Sequence, residues 1–205
     1  GFKVRNQAAL ASRFDLDWQQ AVVTFIGRLV NEKGADLLPD LIRRSLQEDL
    51  GLAFAMLGTG EAWLHERLGQ LEREFPGRVS VVLAYDEGLA HQLYAGSDFL
   101  IMPSRVEPCG LNQMYGMSYG TIPIVRAVGG LRDTVPDIGE PDGSGRGIQF
   151  THFSLEDAYL ALYRADRLYQ DKAEFAAVRE RITAVDFSWE RAAREYINIY
   201  RELQA

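Results

Sequence analysis

An α/β fold on a Rossmann-like, doubly wound parallel sheet is what this sequence predicts, and two observations predict it. Short apolar runs recur at 21–26, 52–57, 79–84, 98–102, 122–125 and 148–150. Segments with helical apolar spacing lie between them at 35–46, 61–75, 87–95 and 111–119. Runs this brief, β-branched or aromatic-rich, read as buried strands. Repeating units of roughly 20 to 30 residues that alternate strand and helix imply parallel strands covered by helices on both sides. Ligands of such sheets sit at the carboxyl ends of the strands, so the residues just after each run are the candidates for function.

The ends of the chain complete this plan. Val4, Ala8 and Leu10 at helical spacing predict an entry helix within residues 1–20. The core is expected over 21–153 and C-terminal helices over 154–205. The first of these opens on a capping-box-like Ser154-Leu155-Glu156-Asp157. The last follows Ser188 and carries Trp189, Ala192, Ala193, Tyr196, Ile199, Tyr200 and Leu203 on one stripe. The linker-like tract is 136–147, rich in Asp, Gly and Pro.

Composition narrows the class. A length of 205 residues fits one domain. With 47% hydrophobic and 25% charged residues, the chain is of the soluble globular kind, not collagen-like, disordered or disulfide-stapled. A net charge of -7 and a pI near 5.0 argue against a nucleic-acid-binding surface, which depends on basic stripes. The apolar runs fall far short of the roughly 20 residues of a membrane helix, so no membrane partner is expected. A lone Cys109 and the lack of a secretory-type leader predict a reducing cytoplasmic compartment, or a plastid for a plant chain. A start at Gly1 without methionine reads as a fragment.

Chemistry is sought next. Gly27-Arg28-Leu29 ends the first apolar run and Lys33-Gly34 follows, which puts two cations at the ligand edge. With glycine permitting close backbone approach, they fit a diphosphate; a solvated loop with two surface cations is the plainer alternative. Gly58-Thr59-Gly60 begins like a dinucleotide fingerprint, but Trp63 holds the third glycine position, so a nicotinamide cofactor is not expected. His65, His91 and His152 lack metal-ligand spacing and read as surface or packing residues. Glu107 falls in a Pro-bounded loop after the fourth run, placed to meet sugar hydroxyls or a developing positive charge, or else simply to pair with Arg105. Cys109-Gly110-Leu111-Asn112 leads into a helix whose first N–H groups suit phosphate. Cys109 could equally be a small buried hydrophobe.

These pieces fall in one order. FIGRLVNEKGADLL, LGTGE, AYDE, SRVEPCGLNQMYGMSYGTIPIVRAVGGLRDTV and VDFSWERAAREY together resemble the glycogen synthase and starch synthase family over most of the chain. The resemblance implies the C-terminal half of a GT-B glycosyltransferase, its acceptor-binding N-terminal half absent. It implies transfer of glucose, with retention, from ADP-glucose or UDP-glucose to the non-reducing end of an α-1,4-glucan, without cofactor or metal. Arg28 and Lys33 match the pair that neutralises the leaving diphosphate, and Tyr85 matches a residue packing at the base. Glu107 matches the functional carboxylate. Gly27 falls in the donor loop, Cys109 and Gly110 match positions near the glucose, and Leu111 and Asn112 match the phosphate-facing helix start. Ala84 stands where many relatives have glycine, Gly145-Arg146-Gly147-Ile148 replaces a more usual Gly-Thr-Gly-Phe, and Tyr115 takes the place of a second acid, as is usual in this family. The rival readings are a non-catalytic nucleotide- or glucan-binding module and a sucrose- or trehalose-type transferase.

Overall fold

The computed structural model describes residues 1–204. Six parallel strands form one sheet in the order β3-β2-β1-β4-β5-β6: β1 Ala21–Ile26, β2 Leu52–Leu57, β3 Val79–Val82, β4 Phe99–Met102, β5 Ile122–Arg126 and β6 Ile148–Phe150. Register is in step along β1 and β2, from Ala21 opposite Leu52 to Ile26 opposite Leu57. Alternate residues of β1 face opposite layers. Ala21, Val23 and Phe25 join the larger core, while Val22 joins a second cluster with Leu10, Phe14, Leu89 and Leu93. Burial on both faces is why the strands read as unbroken apolar runs rather than alternating ones.

The helices are α1 Phe2–Leu10, α2 Leu38–Gln47, α3 Ala62–Glu74, α4 Glu87–Gly96, α5 Asn112–Ser118, α6 Gly129–Thr134, α7 Leu155–Gln170, α8 Lys172–Thr183 and α9 Trp189–Glu202. Helix α4 begins where the Asp86 carboxylate accepts from the Leu89 N–H at 2.9 Å, and α7 where Ser154 Oγ accepts from the Asp157 N–H at 3.2 Å, each cap satisfying an otherwise unpaired donor. Among the described residues no helix is long and apolar enough to cross a membrane.

Three expectations change. The helix predicted over 35–46 opens as a 3-10 turn, Ala35–Leu37, and is α-helical only from Leu38. Left-handed Gly34, φ 69°, separates that turn from a preceding one, Asn31–Lys33. Helix α6 lies where no helix was predicted, because Gly129 and Gly130 read as breakers. In α1 the apolar spacing selects the wrong face: Leu10 is buried, but Val4 is 64% exposed and Lys3 turns inward. The Lys3 ammonium donates to the Tyr94 carbonyl (3.2 Å), the Ser97 carbonyl and Thr121 Oγ1 (2.5 Å), closing the C-terminal end of α4. Burial, reinforced by Arg179, pulls its pKa down to about 7.

The linker-like tract is tethered. Asp137 accepts from the N–H groups of Gly139 (2.8 Å) and Gln149 (2.7 Å) and from both terminal nitrogens of Arg164 (2.5 and 3.1 Å).

Candidate functional site

Strands β1 and β4 are sheet neighbours although two strands separate them in sequence, so the loops leaving their carboxyl ends diverge at the switch point of the topology. The predicted residues gather there. The loop after β1 carries Gly27, Arg28 and Lys33; the loop after β4 carries Glu107, Cys109 and Gly110.

Lys33 Nζ donates to Glu107 Oε2 at 2.6 Å. Glu107 is 8% exposed, and the Ser104 hydroxyl donates to the same oxygen at 3.3 Å. The alternative pairing of Glu107 with Arg105 is not found: Arg105 grips Asp36 with a two-pronged fork at 2.5 and 2.7 Å. The β4 loop is also held from below. Arg126 Nη1 donates to the Arg105 carbonyl at 3.0 Å, and the Gly130 N–H donates to the Glu107 carbonyl at 3.1 Å.

The two cations part company. Lys33 and Glu107 line a recess of about 70 Å³ with Gly110, Leu111 and Asn112. Arg28 lines an adjoining cavity of about 310 Å³, and its guanidinium lies 3.5 Å from the Glu32 carboxylate. Gly27, Ile26 and Asn112 border both spaces, so the two form one trough along the sheet edge. Ligand cavities of small molecules start at about 300 Å³, which the larger space reaches. Tyr85, 88% exposed, stands at its rim with its ring free to take a planar partner.

Asn112 borders both spaces, and its Nδ2 donates to the Ile26 carbonyl at 2.8 Å, which ties the start of α5 to the end of β1. Gly110 needs glycine: its φ is 75°, and a Cβ there would meet the Gln113 side-chain oxygen at 2.6 Å. Cys109 is exposed, not the buried hydrophobe of the alternative reading. After β2, Gly58-Thr59-Gly60 runs beside the segment that leaves β1, with Gly60 in a parallel bridge to Leu29, and the Gly60 N–H donates to His65 Nε2 at 2.9 Å.

Residues to which the sequence assigned no part in the site, Tyr94 with His91 and Tyr115, supply the far wall of the cavity. His91 and Tyr94 of α4 and Tyr115 of α5 pack their rings at centroid distances of 5.8 to 6.0 Å. Burial pushes the Tyr94 phenol well above its ordinary pKa and keeps it neutral. The available signal was the His91–Tyr94 spacing, which sets both rings on one face of the helix that follows Tyr85. Among the described residues no group of three or more His, Cys, Asp or Glu is placed to hold a metal ion.

Comparison with known proteins agrees in direction. The family model described as glycosyl transferases group 1 matches residues 9–143. A glycogen synthase from Flavobacterium johnsoniae is 48% identical over 97% of this chain, which spans 41% of that relative. Among solved structures, the catalytic domain of starch synthase IV from Arabidopsis thaliana, bound to ADP and acarbose, superposes with a TM-score of 0.86 at 35% identity, covering 98% of this chain and 42% of that one. The sucrose-phosphate synthase of Thermosynechococcus elongatus follows at a TM-score of 0.69 and 25% identity, covering 98% of this chain and 48% of its own.

Proposed function

Since this chain belongs to the group 1 glycosyl transferases and has the fold of a GT-B C-terminal half, we propose that it is the donor-binding part of a glycogen or starch synthase. The reaction is transfer of glucose from ADP-glucose to the non-reducing end of an α-1,4-glucan, with retention at the anomeric carbon. The observation that carries this reading is the Lys33–Glu107 pair at the switch point, beside a trough with an aromatic rim and wall.

The bond from the anomeric carbon to the diphosphate oxygen breaks as positive charge develops on the sugar ring and negative charge on the leaving group. Lys33 and Arg28 stabilise the departing diphosphate from the two compartments that they line. Positive charge aimed at the oxygen where negative charge develops is the usual source of such stabilisation. The Glu107 carboxylate, shielded from water, orients the sugar and faces its positive charge. Tyr85 stacks on the base while His91, Tyr94 and Tyr115 bound the cavity behind it. Adenine is preferred here to uracil on the likeness to a starch synthase solved with ADP.

The acceptor glucan is bound by the N-terminal half that the longer relatives possess, and the site closes when the halves meet. The test is to supply the full-length protein with ADP-glucose or UDP-glucose and glycogen, and to analyse the product. Elongation by α-1,4-linked glucose, faster from ADP-glucose, is expected. Transfer to a free sugar or sugar phosphate instead of glucan would replace this reading with the sucrose-phosphate synthase type.

A further inference from the structure

Lys33 sits on a single 3-10 turn, Asn31–Lys33, outside both sheet and helix, so its placement opposite Glu107 needs a cause. Arg105, from the Glu107 loop, supplies one on each side of Lys33. Before it in sequence, Arg105 Nη1 donates to the Asn31 carbonyl at 2.6 Å and the Arg105 N–H donates to the Glu32 carbonyl at 2.9 Å. After it, the guanidinium fork holds both oxygens of Asp36 at 2.5 and 2.7 Å. The guanidinium carbon lies over the Phe153 ring, 3.7 Å from its centroid.

We propose that Arg105 is the positioning residue of the donor site: it latches the turn bearing Lys33 to the loop bearing Glu107 and so sets the distance between them. The proposal rests on the reading of Lys33 and Glu107 as the donor-handling pair. A planar fork that satisfies a carboxylate, a carbonyl and an aromatic face at once is a task for arginine and not for lysine, whose ammonium is a point charge on a flexible stem. Gly34 completes the latch, since its left-handed turn brings it against the Pro103 carbonyl with no room for a side chain. Truncation of the Arg105 side chain removes the guanidinium bonds to Asn31 and Asp36 and leaves the backbone bond to the Glu32 carbonyl as the tie on that side of Lys33. A displacement of about 1 Å at a reacting group costs on the order of 100-fold in rate.

A double-mutant cycle in the full-length enzyme tests this, with turnover measured for Lys33→Ala, Arg105→Ala and the double variant, and thermal unfolding recorded for each. The expected result is a fall of about 10- to 100-fold for Arg105→Ala, with at most a few-fold further fall when it is added to Lys33→Ala. Arg105→Lys is expected to resemble Arg105→Ala more than wild type. Asp36→Asn, which removes the charge held by the fork and keeps its shape, provides the same cycle if Arg105→Ala does not fold. Near-wild-type turnover in Arg105→Ala, or the same fold-loss with and without Lys33, overturns the latch while leaving the donor-site reading in place. Near-wild-type turnover in Lys33→Ala alone overturns that reading, and the latch with it.

Discussion

Lys33 Nζ lies 2.6 Å from Glu107 Oε2, so the two residues proposed to handle opposite charges of one transition state are paired with each other. A donor diphosphate competes for the lysine and frees the carboxylate to face the sugar. Glu107→Gln keeps the shape and one acceptor but removes the charge. In the full-length enzyme it is expected to lower turnover by about 100-fold or more while changing donor affinity much less. Glu107→Ala should also lower unfolding free energy by about 1–3 kcal/mol, because Lys33 then loses its partner in a largely buried recess. Steady-state kinetics with donor titration, and urea unfolding, check both.

Gly34 and Gly143 share a left-handed backbone, φ 69° and 71°, but only Gly34 is packed against a carbonyl, that of Pro103. Alanine at either position carries the left-handed penalty of about 1–2 kcal/mol. Gly34→Ala must in addition push the Lys33 turn away from the β4 loop, so it should lose more stability and most of its turnover. Gly143→Ala should lose stability alone. Equal turnover in the two variants would show that close approach at Gly34 has no part in the site.

The strands were legible to within a few residues because both of their faces are buried and the apolar run is continuous, as at Ala21–Ile26 and Leu52–Leu57. The site was legible where chemistry is carried by local motif: Lys33 and Glu107 meet as their positions after β1 and β4 require. What was not legible depends on long-range partners. Lys3 carries no local signal of burial; it is enclosed by the Tyr94 and Ser97 carbonyls and Thr121, far away in sequence. Arg105 reads as a partner for nearby Glu107 until Asp36, far away in sequence, comes within reach. The His91, Tyr94 and Tyr115 wall joins two helices that no single motif spans.

Chelation of divalent metals should leave the turnover of the full-length protein unchanged, because Arg28 and Lys33 supply the positive charge that a metal-dependent transferase takes from its ion. Glucose transfer is measured before and after EDTA treatment. Loss of turnover that magnesium or manganese restores counts against the assignment of those two side chains.

Asp137 connects pH to the tethered tract. Burial alone would raise its pKa, but the Arg164 fork and the N–H groups of Gln149 and Gly139 outweigh burial and hold it below the ordinary aspartate range. A carboxylate depressed in the folded state contributes stability above its unfolded pKa of about 3.9 and loses that contribution as pH falls through the folded value. The stability difference between wild type and Asp137→Asn should therefore be constant near neutrality and narrow below about pH 4. A difference that stays flat through the acid range would show that the fork does not depend on charge.

The isolated 205-residue chain should bind ADP weakly and yet fail to elongate glycogen. Every donor contact proposed above, from Arg28, Lys33, Tyr85 and the loop at Gly110, belongs to this chain, so binding needs no other part. Stacking of a base on an aromatic ring is worth about 1–3 kcal/mol, and Tyr85→Ala should weaken ADP binding accordingly. Transfer has further needs. Tyr85 is 88% exposed and the trough is open along the sheet edge, whereas departure of a diphosphate requires exclusion of water and an acceptor hydroxyl held at the anomeric carbon. Helix α9 adds a second consequence, since Trp189 is 87% and Leu203 79% exposed and none of its residues is buried. An apolar stripe of this kind should make the isolated chain self-associate as its concentration rises. Calorimetric titration with ADP, a glucan-elongation assay and sedimentation at several concentrations test the three expectations. Robust elongation by this chain alone, or no affinity for ADP, would overturn the proposed division of labour between the two halves.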